Sequence, residues 1–352
     1  MIDWLSERIN KISKIERYSK PGQKALFKLD ANENLILDSD FLSQLVIDKA
    51  KNIDLRKYPQ ELYDKLYKKL SVYLKVNEKT LVIGNGSDQI IELLLSVIGE
   101  GKRATLFTPT FSYFISRCQL RGISVAKIPL CPNDNTIRKR SFLKSAEKSN
   151  IVYLCSPNNP TGNQIERSTV QEILKLKNVL VILDEAYVEF ANSSMTNFVE
   201  DYDNLAILRT FSKAFGLAGC RLGYLVMNKR IAQVLRDTVQ SPYPVNSLSL
   251  VIAIALLSNL KPVLESVRVI KEERQRLLEN ISKIDYLSTY PSEANFIFVR
   301  VKERHKRLLN ALEKHKVGVK VLGNLLGYGQ CLRITVGTPK MNDTTIRALK
   351  MI

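Results

Sequence analysis

From residue 81 onward the chain alternates short apolar runs with longer stretches in which apolar positions recur every three to four residues. The runs fall at 81–83, 104–107, 125–128, 151–155, 179–183, 205–208 and 222–227. Each is continuous rather than alternating, which predicts strands buried on both faces, and the helical stretches between most of them predict a largely parallel sheet covered on both sides. Ahead of this region, Ile2, Leu5, Ile9 and Ile12 sit at helical spacing among charged residues and predict an amphipathic helix. An irregular arm is expected over 18–34, around Pro21-Gly22, followed by a helix over about 39–51. Arg56-Lys57-Tyr58-Pro59 breaks the pattern, and Leu62, Tyr63, Leu66, Tyr67 and Leu70 mark a second amphipathic helix. Past the last run, the Lys-, Glu- and Arg-rich stretch 262–284 reads as a long connecting helix. Strands at 295–301, 317–322 and 332–336, with the helix between them, form a smaller α+β unit. The pattern predicts an α/β chain in three parts: an N-terminal helix and arm over 1–38, a large sheet-bearing domain over 39–260, and a small C-terminal α+β domain over 261–352.

Composition narrows the class. A balance of 45% apolar and 25% charged residues over 352 positions is that of an ordinary globular protein with sizeable cores. The longest apolar run, 250–257, is far short of the ~20 residues a membrane span needs, and the N-terminus lacks the apolar core of a signal peptide. The expected location is the cytoplasm, with no membrane partner. Five scattered cysteines (Cys118, Cys131, Cys155, Cys220 and Cys331), without a CxxC pair, fit reduced thiols better than a disulfide frame or zinc site. His305 and His315, in a basic helical stretch, read as surface residues, so no metal is expected. The formal charge of +18 is spread along the chain without a helix-turn-helix, RRM or zinc-finger signature. It implies a general field that favours anionic ligands rather than a nucleic-acid partner.

The chemistry centres on 205–226, LAILRTFSKAFGLAGCRLGYLV. An apolar run leads to Ser212-Lys213, and a glycine-bearing segment then carries the chain to Arg221. A lysine between a strand and a Gly-rich turn, with a hydroxyl beside it and an arginine eight positions on, suits a covalent bond to an aldehyde cofactor that bears a phosphate. Two upstream segments, Ser156-Pro157-Asn158-Asn159-Pro160-Thr161-Gly162 and Asp184-Glu185-Ala186-Tyr187, each follow an apolar run. Both are therefore expected at strand ends, where open α/β sheets bind ligands. Gly84-Asn85-Gly86-Ser87-Asp88 opens an apolar helix and offers either an N-terminal phosphate site or a plain N-cap.

Together SPNNPTG, LDEAY, SKAFGLAGCRLGY and Cys331-Leu332-Arg333-Ile334-Thr335-Val336-Gly337 resemble the fold-type I pyridoxal-phosphate aminotransferases, in family order over nearly the whole chain. Leu29-Asp30-Ala31-Asn32-Glu33-Asn34 and the CLRITVG segment are most similar to the histidinol-phosphate aminotransferases. The resemblance implies pyridoxal 5'-phosphate held covalently by Lys213, which also moves the substrate proton. It implies Asp184 on the pyridine nitrogen, Tyr187 and Asn159 on the ring's phenolic oxygen, and Ser212, Arg221 and the backbone of Gly86, Ser87 and Asp88 on the phosphate. Arg333 is expected to take the carboxylate of glutamate and the phosphate of histidinol phosphate in turn, with Asn32, Tyr18 and Lys320 also at the substrate. Tyr58 matches a tyrosine that reaches the cofactor phosphate of a neighbouring subunit, which implies a two-fold homodimer.

Three positions depart from the family pattern. At the end of Pro109-Thr110-Phe111-Ser112-Tyr113-Phe114, Phe114 stands where the family usually has a tyrosine over the cofactor ring, and it is expected to stack there without the hydroxyl. Lys320 stands where a second phosphate-binding arginine is usual, keeping the charge without the fork, and Leu35 replaces a proline after Ala31-Asn32-Glu33-Asn34. The activity implied is transamination between L-histidinol phosphate and 2-oxoglutarate in histidine biosynthesis. The rival readings are an aromatic amino-acid aminotransferase, a threonine-phosphate decarboxylase and a regulatory pyridoxal-binding domain.

Overall fold

The computed structural model describes residues 2–15 and 25–352. In chain order it begins with helix α1 (Asp3–Ser13), strand β1 (Phe27–Leu29), and helices α2 (Ser39–Ala50) and α3 (Gln60–Leu74). A βα alternation follows: β2 (Leu81–Gly84), α4 (Gly86–Ile98), β3 (Arg103–Thr108), α5 (Ser112–Leu120), β4 (Ser124–Pro129), α6 (Lys139–Ala146), β5 (Ile151–Cys155), α7 (Arg167–Leu174) and β6 (Leu180–Asp184). Then come β7 (Leu205–Thr210), β8 (Gly223–Met227), α8 (Lys229–Val234), α9 (Ser247–Ser258) and the long α10 (Lys261–Ile281). The chain ends with β9 (Leu287–Thr289), β10 (Phe296–Val301), α11 (His305–Lys314), β11 (Val317–Leu325), β12 (Gly329–Thr335) and α12 (Pro339–Lys350).

Seven strands form one sheet in the order β2-β8-β7-β6-β5-β3-β4. The pairs β7–β6, β6–β5, β5–β3 and β3–β4 are parallel, each crossing back through chain that packs on a face of the sheet. β8 is the exception to the expected alternation. It follows β7 without an intervening α-helix and runs antiparallel to both β7 and β2. β5, β7 and β8 are buried along their whole length, which is why their sequences read as unbroken apolar runs. Two apolar clusters cover the sheet: residues such as Val152, Leu154, Leu183 and Ile207 belong to one, and Tyr153, Cys155, Ile182 and Leu208 to the other.

A second sheet has the order β1-β11-β12-β10-β9. Two of its strands correct the expectation from sequence. The arm is not irregular throughout, because Phe27–Leu29 pairs in parallel with β11, and Leu287–Thr289 adds an edge strand beside β10. Both are three residues long, too short to show a period of two. The arm thus enters the same sheet as the C-terminal strands and delivers 30–34 across the carboxyl ends of β6 and β7. Asn34 fastens it there: Nδ2 donates to Ala214 O (2.8 Å) and Ser266 Oγ (2.9 Å), while Oδ1 accepts from the N–H groups of Ile36 and Leu37. Tyr18 lies outside the described residues.

Candidate active site

The carboxyl ends of β5, β6 and β7 face a cavity closed on the other side by the arm and by β11 and β12. Lys213, three residues past β7, stands in it with Nζ donating to Ala31 O at 2.8 Å and lying 5.8 Å from the centre of the Tyr187 ring. Burial, together with the nearby Arg333 guanidinium, brings its amine down to about 8. A lysine so placed is a nucleophile in waiting, because a substantial part of it is neutral near physiological pH.

Asp184, the last residue of β6, is buried. Its Oδ2 accepts from Tyr153 Oη at 2.7 Å and its Oδ1 from Ala186 N at 3.1 Å. Burial raises its carboxyl to about 6 despite these hydrogen bonds, and among the described residues it has no salt-bridge partner. A buried carboxylate of this kind fits a cationic ring nitrogen. Tyr187 Oη accepts from Asn32 Nδ2 at 3.0 Å, and a phenol hydroxyl can act as donor as well as acceptor. Asn159 accepts from Arg333 Nη1 at 2.6 Å through Oδ1, which leaves its amide hydrogens to donate.

The opposite end of the cavity is an anion cradle. Ser87 and Asp88 lie in the first turn of α4, with Ser212 and Arg221 across from them. Asn85 occupies the N-cap position without a side-chain hydrogen bond to the helix, so the plain-cap reading of Ser87 and Asp88 does not hold. Gly86 has φ +80°, and a Cβ there would lie 2.8 Å from Arg221 Nη2. A Cβ at Gly223 would lie 2.5 Å from Ser87 N. Glycine at both positions lets the helix end, Arg221 and the start of β8 close around one small space, as a phosphate requires. Arg221 Nη2 lies 3.2 Å from Asp88 Oδ2, an exposed pair that holds the guanidinium at the mouth.

Arg333, on β12, is buried with Nη2 donating to Asp30 O at 2.5 Å and its guanidinium 5.4 Å from the centre of the Phe296 ring. Lys320 is its register partner on β11 and lines the same cavity. Asn32 sits at φ +54°, its N–H donating to Thr335 Oγ1 and its carbonyl accepting from Asn295 Nδ2, both at 3.0 Å. The cavity therefore brings together Lys213, Asp184, Tyr187, Asn159, Ser212, Ser87, Asp88, Arg221, Arg333, Asn32 and Lys320.

Two expected residues lie elsewhere. Phe114 is fully buried beneath the sheet, its ring stacked on Tyr153 at 4.0 Å, and it cannot cover a ligand ring. Phe111 lines the cavity instead. It precedes the first turn of α5 at the mouth of β3, whereas Phe114 is carried inward one turn later. Tyr58 is 82% exposed, stacks on Tyr243 with 5.1 Å between ring centres, and stands outside the cavity of its own chain. Asp30 and Ala31, which accept from Arg333 and Lys213 through backbone carbonyls, had no signal in the sequence because any residue type supplies a carbonyl.

A recessed lysine after β7, a buried acid ending β6 and a glycine-lined anion cradle, on a mostly parallel sheet, define a pyridoxal-phosphate-dependent transferase of fold type I. The family described as aminotransferase class I and II matches residues 24–349. The chain belongs to this family. The histidinol-phosphate aminotransferase of Thermoanaerobacter pseudethanolicus is 36% identical to it over 348 residues, 98% of this chain and 97% of that one. The crystal structure of the histidinol-phosphate aminotransferase from Clostridium acetobutylicum matches with a TM-score of 0.84 at 28% identity, covering 92% of this chain and 98% of the other. At 22% identity the Sinorhizobium meliloti enzyme, solved in complex with pyridoxal-5'-phosphate, shares the fold, with a TM-score of 0.85 over 96% of this chain and 95% of that one.

Proposed function

We propose that this chain transfers the amino group of L-histidinol phosphate to 2-oxoglutarate, giving imidazole-acetol phosphate and L-glutamate, as a cytoplasmic step of histidine biosynthesis. The observation that carries the reading is the pair of cations Arg333 and Lys320, side by side on β12 and β11 within the cavity that holds Lys213. The arginine fork suits the two oxygens of a carboxylate or a phosphate, and a second positive charge beside it suits a phosphate dianion better than an apolar aromatic side chain. The names of the full-length relatives support the same substrate.

Pyridoxal 5'-phosphate supplies an aldehyde carbon that carries the amino group and a ring that takes up the electron pair left when the substrate Cα–H bond breaks. Lys213 would hold the cofactor through Nζ, and the same amine, once free, would be the base that takes the substrate Cα proton and gives it up again. With its amine near 8, about a tenth of the lysine is neutral at pH 7. Asp184 would keep the ring nitrogen positive. Tyr187 and Asn159 would donate to the phenolic oxygen, Phe111 would cover the ring, and Ser212, Arg221 and the backbone N–H groups around Gly86, Ser87 and Asp88 would hold the phosphate. Arg333, aided by Asn32 and Lys320, orients the substrate anion. The outward-facing Tyr58 supports a two-fold dimer in which this tyrosine completes the phosphate site of the partner subunit.

The test is steady-state amine transfer to 2-oxoglutarate by the purified holoenzyme. Faster glutamate formation from histidinol phosphate than from phenylalanine or tyrosine supports the reading. The reverse order assigns an aromatic aminotransferase, and release of carbon dioxide from threonine phosphate without a keto acid assigns a decarboxylase.

A further inference from the structure

Tyr153 lies two residues before the end of β5, on the same face of the sheet as Cys155 and, across the strand pair, Ile182 and Asp184. It is fully buried in the apolar cluster that includes Phe114, Ile182, Ala206 and Leu208. A phenol in such surroundings is costly unless its hydroxyl is paired, and phenylalanine would fill the same space without that requirement. Its hydroxyl donates to Asp184 Oδ2 at 2.7 Å. Phe114 stacks on the Tyr153 ring with 4.0 Å between centres and 12° between planes, which fixes the direction in which the hydroxyl points. Asp184 is thereby held from two sides, by Tyr153 through Oδ2 and by the Ala186 N–H through Oδ1.

We infer that Tyr153 is a positioning residue that acts through Asp184: its hydroxyl keeps the carboxylate ionised and aimed, and so determines how fully the cofactor's ring nitrogen is protonated. This rests on the reading of Asp184 as the ring nitrogen's partner. A hydrogen bond to the ionised form makes a carboxylate a weaker base, so the shared proton stays on the ring nitrogen. Burial and the neighbouring Asp184 raise the Tyr153 phenol well above its ordinary value, so it remains a donor across the working pH range. Phe114, whose sequence position suggested a place over the ring, acts one layer deeper, as the plate against which Tyr153 is set.

The experiment uses holoenzyme loaded with pyridoxal 5'-phosphate labelled with 15N in the ring, and compares wild type, Tyr153→Phe and Asp184→Asn. Tyr153→Phe keeps the ring stack and leaves Asp184 its Ala186 N–H, so the fold is retained. The wild-type nitrogen resonance is expected at the pyridinium end of the range, Asp184→Asn at the neutral end, and Tyr153→Phe displaced from wild type toward Asp184→Asn. The kcat of Tyr153→Phe should fall by about tenfold with little change in KM, the loss of one hydrogen bond to a charged group. A Tyr153→Phe resonance that coincides with wild type, with only the melting temperature lowered, overturns the inference while leaving Asp184 in its role. If Asp184→Asn also coincides with wild type, the role of Asp184 itself is wrong.

Discussion

Lys320→Ala separates a phosphorylated substrate from a plain amino acid. The side chain is partly buried beside Arg333, and burial together with that neighbour lowers its pKa. Two unit charges 4 Å apart interact by about 1 kcal/mol in water and about 4 kcal/mol at an effective dielectric near 20. For a site open on one side, about 1 kcal/mol per unit of substrate charge is the appropriate scale. A phosphate near −2 then loses about 2 kcal/mol and an amino acid's α-carboxylate, bound in its place, about 1 kcal/mol. The variant should lower kcat/KM about thirtyfold for histidinol phosphate and about fivefold for glutamate and phenylalanine alike. The assay is the steady-state kcat/KM for each donor at low salt and again at 0.5 M salt, where screening should shrink the differences by roughly half or more. Equal losses for all three donors would refute the reasoning, because they would mean that Lys320 supports the fold of β11 rather than the substrate's charge.

Lys213→Ala should leave no measurable transamination, and turnover above about 1% of wild type would overturn its assignment as the covalent lysine. Covalent uptake of pyridoxal phosphate by the apoenzyme should accelerate as pH rises toward about 8 and then level off, because the neutral amine of Lys213 is the reacting form. Arg333 is among the causes that lower this amine's pKa, so Arg333→Gln should move the midpoint of that profile to higher pH; an unmoved midpoint would count against their electrostatic contact. Arg209→Met should cost about 3–5 kcal/mol in urea unfolding, since Arg209 Nη1 lies 3.2 Å from buried Glu185 Oε2 and its removal strands that carboxylate, with Glu189 close by. A change below about 1 kcal/mol would show that the two acids take up protons at little cost.

The site was most legible where chemistry and backbone coincide. Lys213 and Asp184 each follow a continuous apolar run, 205–208 and 180–183, whose length marks a strand buried on both faces and whose polar end marks the strand's carboxyl end. The β7–β8 hairpin-like return was less visible because the segment between them, 211–222, carries the lysine and glycines without a helical period. Phe111 and Phe114 show what spacing alone leaves open. Both belong to one aromatic segment, and only the start of α5 at Ser112 decides that the first stays at the strand mouth while the second turns into the core. Position at the carboxyl end of β3 was the available signal, and it favours Phe111. The arm resisted reading for another reason. Its short strand and its carbonyls at Asp30 and Ala31 gain their roles from partners about 180 to 300 residues away, which no local pattern encodes.

The central claim is that Lys213 holds a pyridoxal phosphate which histidinol phosphate converts to its amine form. The most direct measurement is the near-ultraviolet and visible spectrum of the purified holoenzyme as L-histidinol phosphate is added without a keto acid. The account predicts loss of the absorbance of the lysine-bound cofactor, with stoichiometric appearance of that of pyridoxamine phosphate and one equivalent of imidazole-acetol phosphate. An unchanged spectrum with histidinol phosphate, together with full conversion by tyrosine or phenylalanine, would contradict it.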